Sequence, residues 1–168
     1  MVDEKSACVY LGIGSNLGDR VQNVFKTVKL LDSHNEIDVL RIAPLYKTAP
    51  LDYIEQGDFV NTVLEVFTSR TPFDLLYVLQ GIEKKLKREK TVRFGPRTID
   101  IDILLYDELV INTQDLVIPH PKMRKRAFVC CPLADLIPNR VLVGGKTVKQ
   151  LAKELVLSQR VEEIRDYT

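Results

Sequence analysis

Apolar and polar positions divide the chain into stretches of two periodicities. ACVYLGI at 7–13 is apolar enough for a buried strand, and the GSNLGD that follows supplies turn residues. Val21, Val24, Phe25, Val28 and Leu31 then repeat at helical spacing, with Asp19 placed to cap that helix. IDVLRIAPLYKTAPL at 37–51 reads as extended backbone broken by Pro44 and Pro50, the pattern of an edge strand or of a strand leading into an irregular loop, and Asp52 to Gly57 form a polar loop. DFVNTVLEVF at 58–67 is a second β-branched strand. SRTPFD opens a helix with Thr71 as cap, Pro72 at its first position and Asp74 in its first turn, and Leu75, Leu79, Ile82 and Leu86 give that helix its buried stripe.

A basic linker at 85–97 leads into a strand from Thr98 to Tyr106. ELVINTQDLVIP at 108–119 predicts a short hairpin, PHPKMRKR at 119–126 a proline-bounded basic loop, and Val148, Leu151, Ala152 and Leu155 a last amphipathic helix. The order strand, helix, strand, strand, helix, strand is the split βαβ or ferredoxin-like plan. It predicts an α+β sandwich, a mainly antiparallel sheet with helices packed on one face, and the other face left for a ligand. No repeat, low-complexity tract or linker divides residues 1–168, which are expected to form a single domain.

Composition narrows the function. With 24 basic and 23 acidic residues the net charge is +1, so any anion binding is local and a general polyanion binder is not expected. The three cysteines, Cys8 and the adjacent Cys130 and Cys131, have no C-x-x-C spacing and no histidine pair nearby, which predicts buried thiols in a reducing compartment. No apolar signal segment opens the chain and no run reaches about 18 apolar residues. The expectation is a cytoplasmic protein with no membrane or nucleic-acid partner.

The chemistry concentrates in RFGPRTIDIDILLYD at 93–107. Alternation places Ile99, Ile101 and Ile103 on one strand face and Asp100 and Asp102 together on the other, with Leu104 and Tyr106 continuing the acidic side. Two like charges side by side oppose folding, and they are also two hard oxygen ligands aimed at one point, as magnesium requires when phosphate and water complete its octahedron. A D-x-D pair alone equally describes a solvated strand face. Arg93 and Arg97 around Gly95-Pro96, and Lys87, Arg88 and Lys90 before them, make sense beside such acids if a polyanion is shared between metal and guanidinium forks. Taken alone, the basic run is a solvated helix end.

His120 is held between two prolines, with Arg124, Lys125 and Arg126 shortly after it. Phe59 and Asn61 share a strand face, as do Arg126 and Phe128 if that stretch is extended, so two rings and an amide suit a flat heterocycle. Each phenylalanine alone is equally a core residue. GIGSNLG at 12–18 lacks the Gly-Lys-Ser/Thr ending of a phosphate loop and reads as a chain turn, and His34 has no assigned role.

The motifs GSNLGDR, YKTAPL, DFVN, QGIEKKLKR, RFGPRTIDIDILLY and IPHPKMRKRAFV, in this order over about residues 7–137, resemble the 6-hydroxymethyl-7,8-dihydropterin pyrophosphokinases of folate biosynthesis. The resemblance implies a ferredoxin-like fold, ATP and 6-hydroxymethyl-7,8-dihydropterin as small-molecule substrates, and transfer of the β,γ-pyrophosphoryl group with release of AMP. It implies Asp100 and Asp102 as ligands of two magnesium ions bound with ATP, and Arg88, Arg93 and Arg97 around the phosphates. Gln80, Glu83, Ile103, His120 and Arg126 fall at nucleotide-contacting positions, with Arg88 and Arg97. Thr48, Ala49, Leu51, Phe59, Asn61 and Phe128 fall in the pterin pocket, and loops around 12–18, 49–57 and 87–97 are implied to close over the substrates. The chain departs from the family pattern at Ala49, Lys90, Phe94, Asp115 and Pro121, none of them in the metal pair.

Two other readings use the same residues. A different magnesium-dependent phosphoryl or nucleotidyl transferase is served equally by the aspartate pair. The split βαβ plan is also that of RNA-recognition modules, but no K/R-G-F-G-F-V-x-F run occurs and a central strand carrying acids repels a nucleic-acid backbone.

Overall fold

The computed structural model describes residues 6–51, 55–86 and 98–167. The chain runs through β1 (Ala7–Ser15), α1 (Arg20–Asp32), β2 (Ile37–Ile42), β3 (Tyr46–Thr48), β4 (Phe59–Thr68), α2 (Pro72–Lys85) and β5 (Asp100–Tyr106). It continues with β6 (Ile111–Asn112), β7 (Val117–Ile118), a 3-10 turn at Met123–Lys125, α3 (Ala127–Leu136), α4 (Val148–Leu155) and β8 (Val161–Glu163).

Local chemistry starts the helices as expected. The Asp19 carboxylate accepts the Gln22 N–H at the head of α1, the Thr71 hydroxyl accepts the Asp74 N–H at the head of α2 with Pro72 in its first turn, and Thr147 and Gln150 cap α4 reciprocally. The main sheet is ordered β5-β1-β4-β3-β8, antiparallel at each of these pairings, and β2 also pairs with β4. β2 lies along Leu64–Thr68 of β4 and β3 along Phe59–Asn61, so Pro44, which has no N–H to give a ladder, falls in the gap between them. β5 is an outer strand rather than a central one.

Alternation along the strands builds two cores. Val9, Leu11 and Ile13 of β1 meet Leu64 and Val66 of β4 and Ile101 and Ile103 of β5 beneath α1 and α2, whose Val24, Leu31, Leu75 and Leu79 are fully buried. On the opposite face Tyr10, Val63, Leu104 and Leu105 pack against Met123, Val129, Leu133 and Val148. Helices therefore cover both faces, not one. The sequence hides α3 because Pro132 stands inside it, removing the bond that its N–H would make to the Phe128 carbonyl. Ala127, Cys130 and Leu133 nonetheless recur every three residues and are buried.

A bulge explains a second departure. The β1–β5 register shifts between Tyr10 and Leu11, which pair with Leu105 and Ile103, and Leu104 is the extra residue. Tyr106 is thereby turned away from the acidic face into the first core, and its hydroxyl donates to the Arg70 carbonyl. β6 and β7 form the expected hairpin, which sends Ile118 into the same core and leads through a cis Ile118–Pro119 bond to His120. Among the described residues no helix is long and apolar enough to cross a membrane.

Candidate active site

α3, backed by α4, covers the second sheet face only in part, and a cleft of about 460 Å³ opens beside it over that face. Its floor is assembled by register. Asp100 pairs with Gly14 and Asp102 with Gly12 on β1, and those glycines pair with Asn61 and Val63 on β4. Residues directly opposite in antiparallel strands project to the same side, so the two carboxylates stand beside two positions without side chains. The glycines expected to turn the chain are strand residues, and the space they leave keeps the aspartates open to the cleft.

Asn61 shows how closely this floor is fitted. It is 6 % exposed, its Nδ2 donates to Thr48 Oγ1 at 2.7 Å, and a Cβ placed on Gly14 would lie 2.5 Å from its Oδ1. Thr48 is itself buried and supports Asn61 from outside the cleft lining.

The walls come from four places. α2 contributes Leu76, Gln80 and Glu83, and the Glu83 carboxylate accepts the Ile101 N–H at 3.1 Å, occupying a donor on the outer edge of β5. The PHP segment contributes His120 and Pro121, with Lys122 beyond them. The start of α3 contributes Arg126, whose guanidinium carbon lies 5.3 Å from the centre of the Phe128 ring. The loop after β3 contributes Ala49, Pro50, Leu51 and Gln56, and Asn16 Nδ2 holds Gln56 Oε1 at 2.7 Å.

The structure thus gathers Gln80, Glu83, Asp100, Asp102, His120 and Arg126 with Ala49, Leu51, Phe59, Asn61 and Phe128 around one cleft. Ile103 is different: its side chain is 4 % exposed and lies in the core under the opposite sheet face. Phe128 reaches the cleft as the second residue of a helix and not from an extended stretch. Arg88, Arg93 and Arg97, with Lys87, Lys90 and Phe94, lie outside the described residues. Gly12, Gly14 and Gln56 fall in the stretches 12–18 and 49–57 that the resemblance implies near the substrates without being singled out there, and Lys122 was not singled out either. The available signal for the first two was a G-x-G inside an apolar strand, informative only once that strand is paired with the D-x-D strand.

Burial pushes the His120 imidazole down to about 4, reinforced by Arg126 and Lys122 and opposed by Asp100. The ring is therefore neutral at physiological pH. Its Nδ1 accepts the Lys122 N–H at 3.2 Å, which assigns the proton to Nε2 and makes that atom a donor. NMR titration of the free protein is expected to show His120 titrating near pH 4, with the midpoint raised when a polyphosphate binds. Because an unfolded imidazole takes its proton near 6.5, folding loses stability from this group as pH falls from about 6.5 to about 4.

The chain matches the family model for 7,8-dihydro-6-hydroxymethylpterin-pyrophosphokinase over residues 10–138. A Bacillus subtilis 2-amino-4-hydroxy-6-hydroxymethyldihydropteridine pyrophosphokinase is 43 % identical over 127 residues, covering 76 % of each chain. An Aquifex aeolicus protein of the same name is 42 % identical over 152 residues, covering 90 % of this chain and 94 % of the relative. A Plasmodium falciparum HPPK-DHPS structure with pteroate superimposes with a TM-score of 0.71 at 17 % identity over 94 % of this chain. This chain spans 44 % of that protein, and the likeness speaks for the fold.

Proposed function

This chain belongs to the 7,8-dihydro-6-hydroxymethylpterin-pyrophosphokinase family, and from that membership we propose that its cleft transfers the β,γ-pyrophosphoryl group of ATP to the hydroxymethyl oxygen of 6-hydroxymethyl-7,8-dihydropterin. A bond forms between that oxygen and the β-phosphorus, the bond from the β-phosphorus to the oxygen bridging to the α-phosphate breaks, the hydroxyl proton is lost and AMP leaves. The observation that carries the reading is the pair Asp100 and Asp102 set against Gly12 and Gly14, in one cleft with Lys122, Arg126 and the two phenylalanines Phe59 and Phe128.

The donor set fits magnesium. Two carboxylates project from one strand face, and among the described residues no group of three or more His, Cys, Asp or Glu side chains forms a protein-only cage. Magnesium favours such partial sites, leaving water and phosphate oxygens to complete its shell. Asp100 and Asp102 would hold it, as two ions bound with ATP, and its contribution would be neutralisation of the triphosphate charge.

The chain's own groups then position the reactants. Arg126 and the Nε2–H of His120 supply a charge and a neutral donor for phosphate oxygens, with Arg88, Arg93 and Arg97 from the basic segment. Gln80 and Glu83 border the nucleotide side. Phe59 and Phe128 stack on the pterin faces, Asn61 reads its edge, and Ala49 and Leu51 close the apolar end, excluding water. Residues 1–168 act in this reading as one domain, a cytoplasmic monomer with no nucleic-acid or membrane partner.

The test is the nucleotide product. Incubated with ATP, magnesium and the hydroxymethyl pterin, the protein is expected to yield AMP; ADP would identify a simple kinase and pyrophosphate a nucleotidyl transferase. Phe128→Ala is expected to raise the pterin KM about tenfold, the effect of roughly one lost stacking contact, with the ATP KM nearly unchanged. Equal losses for both substrates would contradict the placement of the ring.

A further inference from the structure

Past residue 138, where the family match ends, the chain returns to the cleft and touches it from outside. α3 begins at Ala127, and its cap residue Arg126 offers no side-chain acceptor, so the first N–H groups of the helix need a partner from elsewhere. Gln159 supplies one. Its Oε1 accepts the Ala127 N–H at 2.8 Å and its Nε2 donates to the Lys125 carbonyl at 2.8 Å, so one planar amide clamps the residues on either side of Arg126 and immediately before Phe128.

Arg160 does the same for the opposite wall. Its carbonyl accepts the Ala49 N–H at 3.2 Å, while its guanidinium donates to Asp58 Oδ1 at 2.8 Å and Oδ2 at 3.2 Å. Ala49 and Asp58 are the two stems of the loop between β3 and β4, and Asp58 precedes Phe59. β8 then pairs with β3, setting Val161 opposite Thr48, the residue that holds Asn61. Two consecutive residues therefore join the wall carrying Phe59 to the wall carrying Phe128.

We infer that Gln159 and Arg160 are positioning residues that set the separation of the two phenylalanine walls and so tune pterin binding. The inference rests on the reading above that this end of the cleft takes the pterin. Neither residue lines the cleft, and the Arg160 side chain is 49 % exposed, so its ion pair adds little to global stability. Geometry is where loss of these contacts tells, since small misplacements of a binding wall are costly.

Dissociation constants separate this from a merely structural role. In Gln159→Ala and Arg160→Ala the pterin constant, measured with a non-hydrolysable ATP analogue present, is expected to rise about tenfold, while that of the analogue alone stays within about twofold. Arg160→Lys keeps the charge but loses the fork and is expected to remain weak. Should Gln159→Ala not fold, Gln159→Glu, which keeps the acceptor for Ala127 and loses the donor to Lys125, reads the same split. Both constants moving together, or neither moving, overturns the inference. A parent protein that binds no pterin defeats the assignment of the cleft instead and takes this inference with it, a result distinct from a parent that binds and variants that match it.

Discussion

Asp100→Ala and Asp102→Ala are each expected to lower AMP formation at least about a thousandfold, roughly 4 kcal/mol of transition-state stabilisation, while the melting temperature stays within a few degrees of the parent. The size follows from the division of labour in the cleft. Phosphoryl transfer asks little covalent work of a protein and much charge neutralisation, and among the described residues these two carboxylates are the pair set together on the cleft floor. Stability is largely spared because neither side chain belongs to either core cluster, whereas Ile101 and Ile103 between and beyond them do. Asp102→Asn keeps the shape and removes the charge, so it should be as inactive as Asp102→Ala. The double variant should lose little more than either single one, as expected of groups that act as a unit. Retention of a tenth of the parent activity, or failure of the single variants to fold, would contradict this account.

How far the sequence carried depends on which contacts each feature needs. α1 and α2 were legible because their caps and stripes are local: Asp19 and Thr71 bond to N–H groups three residues on, and the leucines repeat within one helix. The acidic face of β5 was legible for the same reason, since alternation needs no partner strand. Tyr106 was misplaced because a bulge against β1 reverses the alternation after Leu104, and a bulge belongs to the pairing of two strands. Pro132 masked α3, and β8, three residues long, is too short to carry a period. Ile103 is instructive in the other direction. Simple alternation puts its side chain opposite the aspartates, and the structure places it there, in the core under α1 and α2.

Gly14→Ala is expected to weaken pterin binding tenfold or more and to lower stability by about 1–3 kcal/mol, the usual range for overpacking. The new Cβ would sit 2.5 Å from Asn61 Oδ1 and 3.7 Å from the nearest carbon of Phe59. Asn61 has little room to yield, being buried and tied to Thr48 Oγ1, so relief requires breaking that bond or shifting the strand. Gly12→Ala is the control: its Cβ would meet the Leu104 side chain at 3.5 Å, an ordinary contact, and alanine restricts the unfolded backbone, so stability should hold or rise by a few tenths of a kcal/mol. Combining Gly14→Ala with Asn61→Ala distinguishes a steric effect from a backbone one. If the clash is the cause, the double variant regains the stability lost in Gly14→Ala, while pterin binding stays weak because the amide that reads the ring edge is gone. Recovery of neither would place the requirement for glycine in the strand itself.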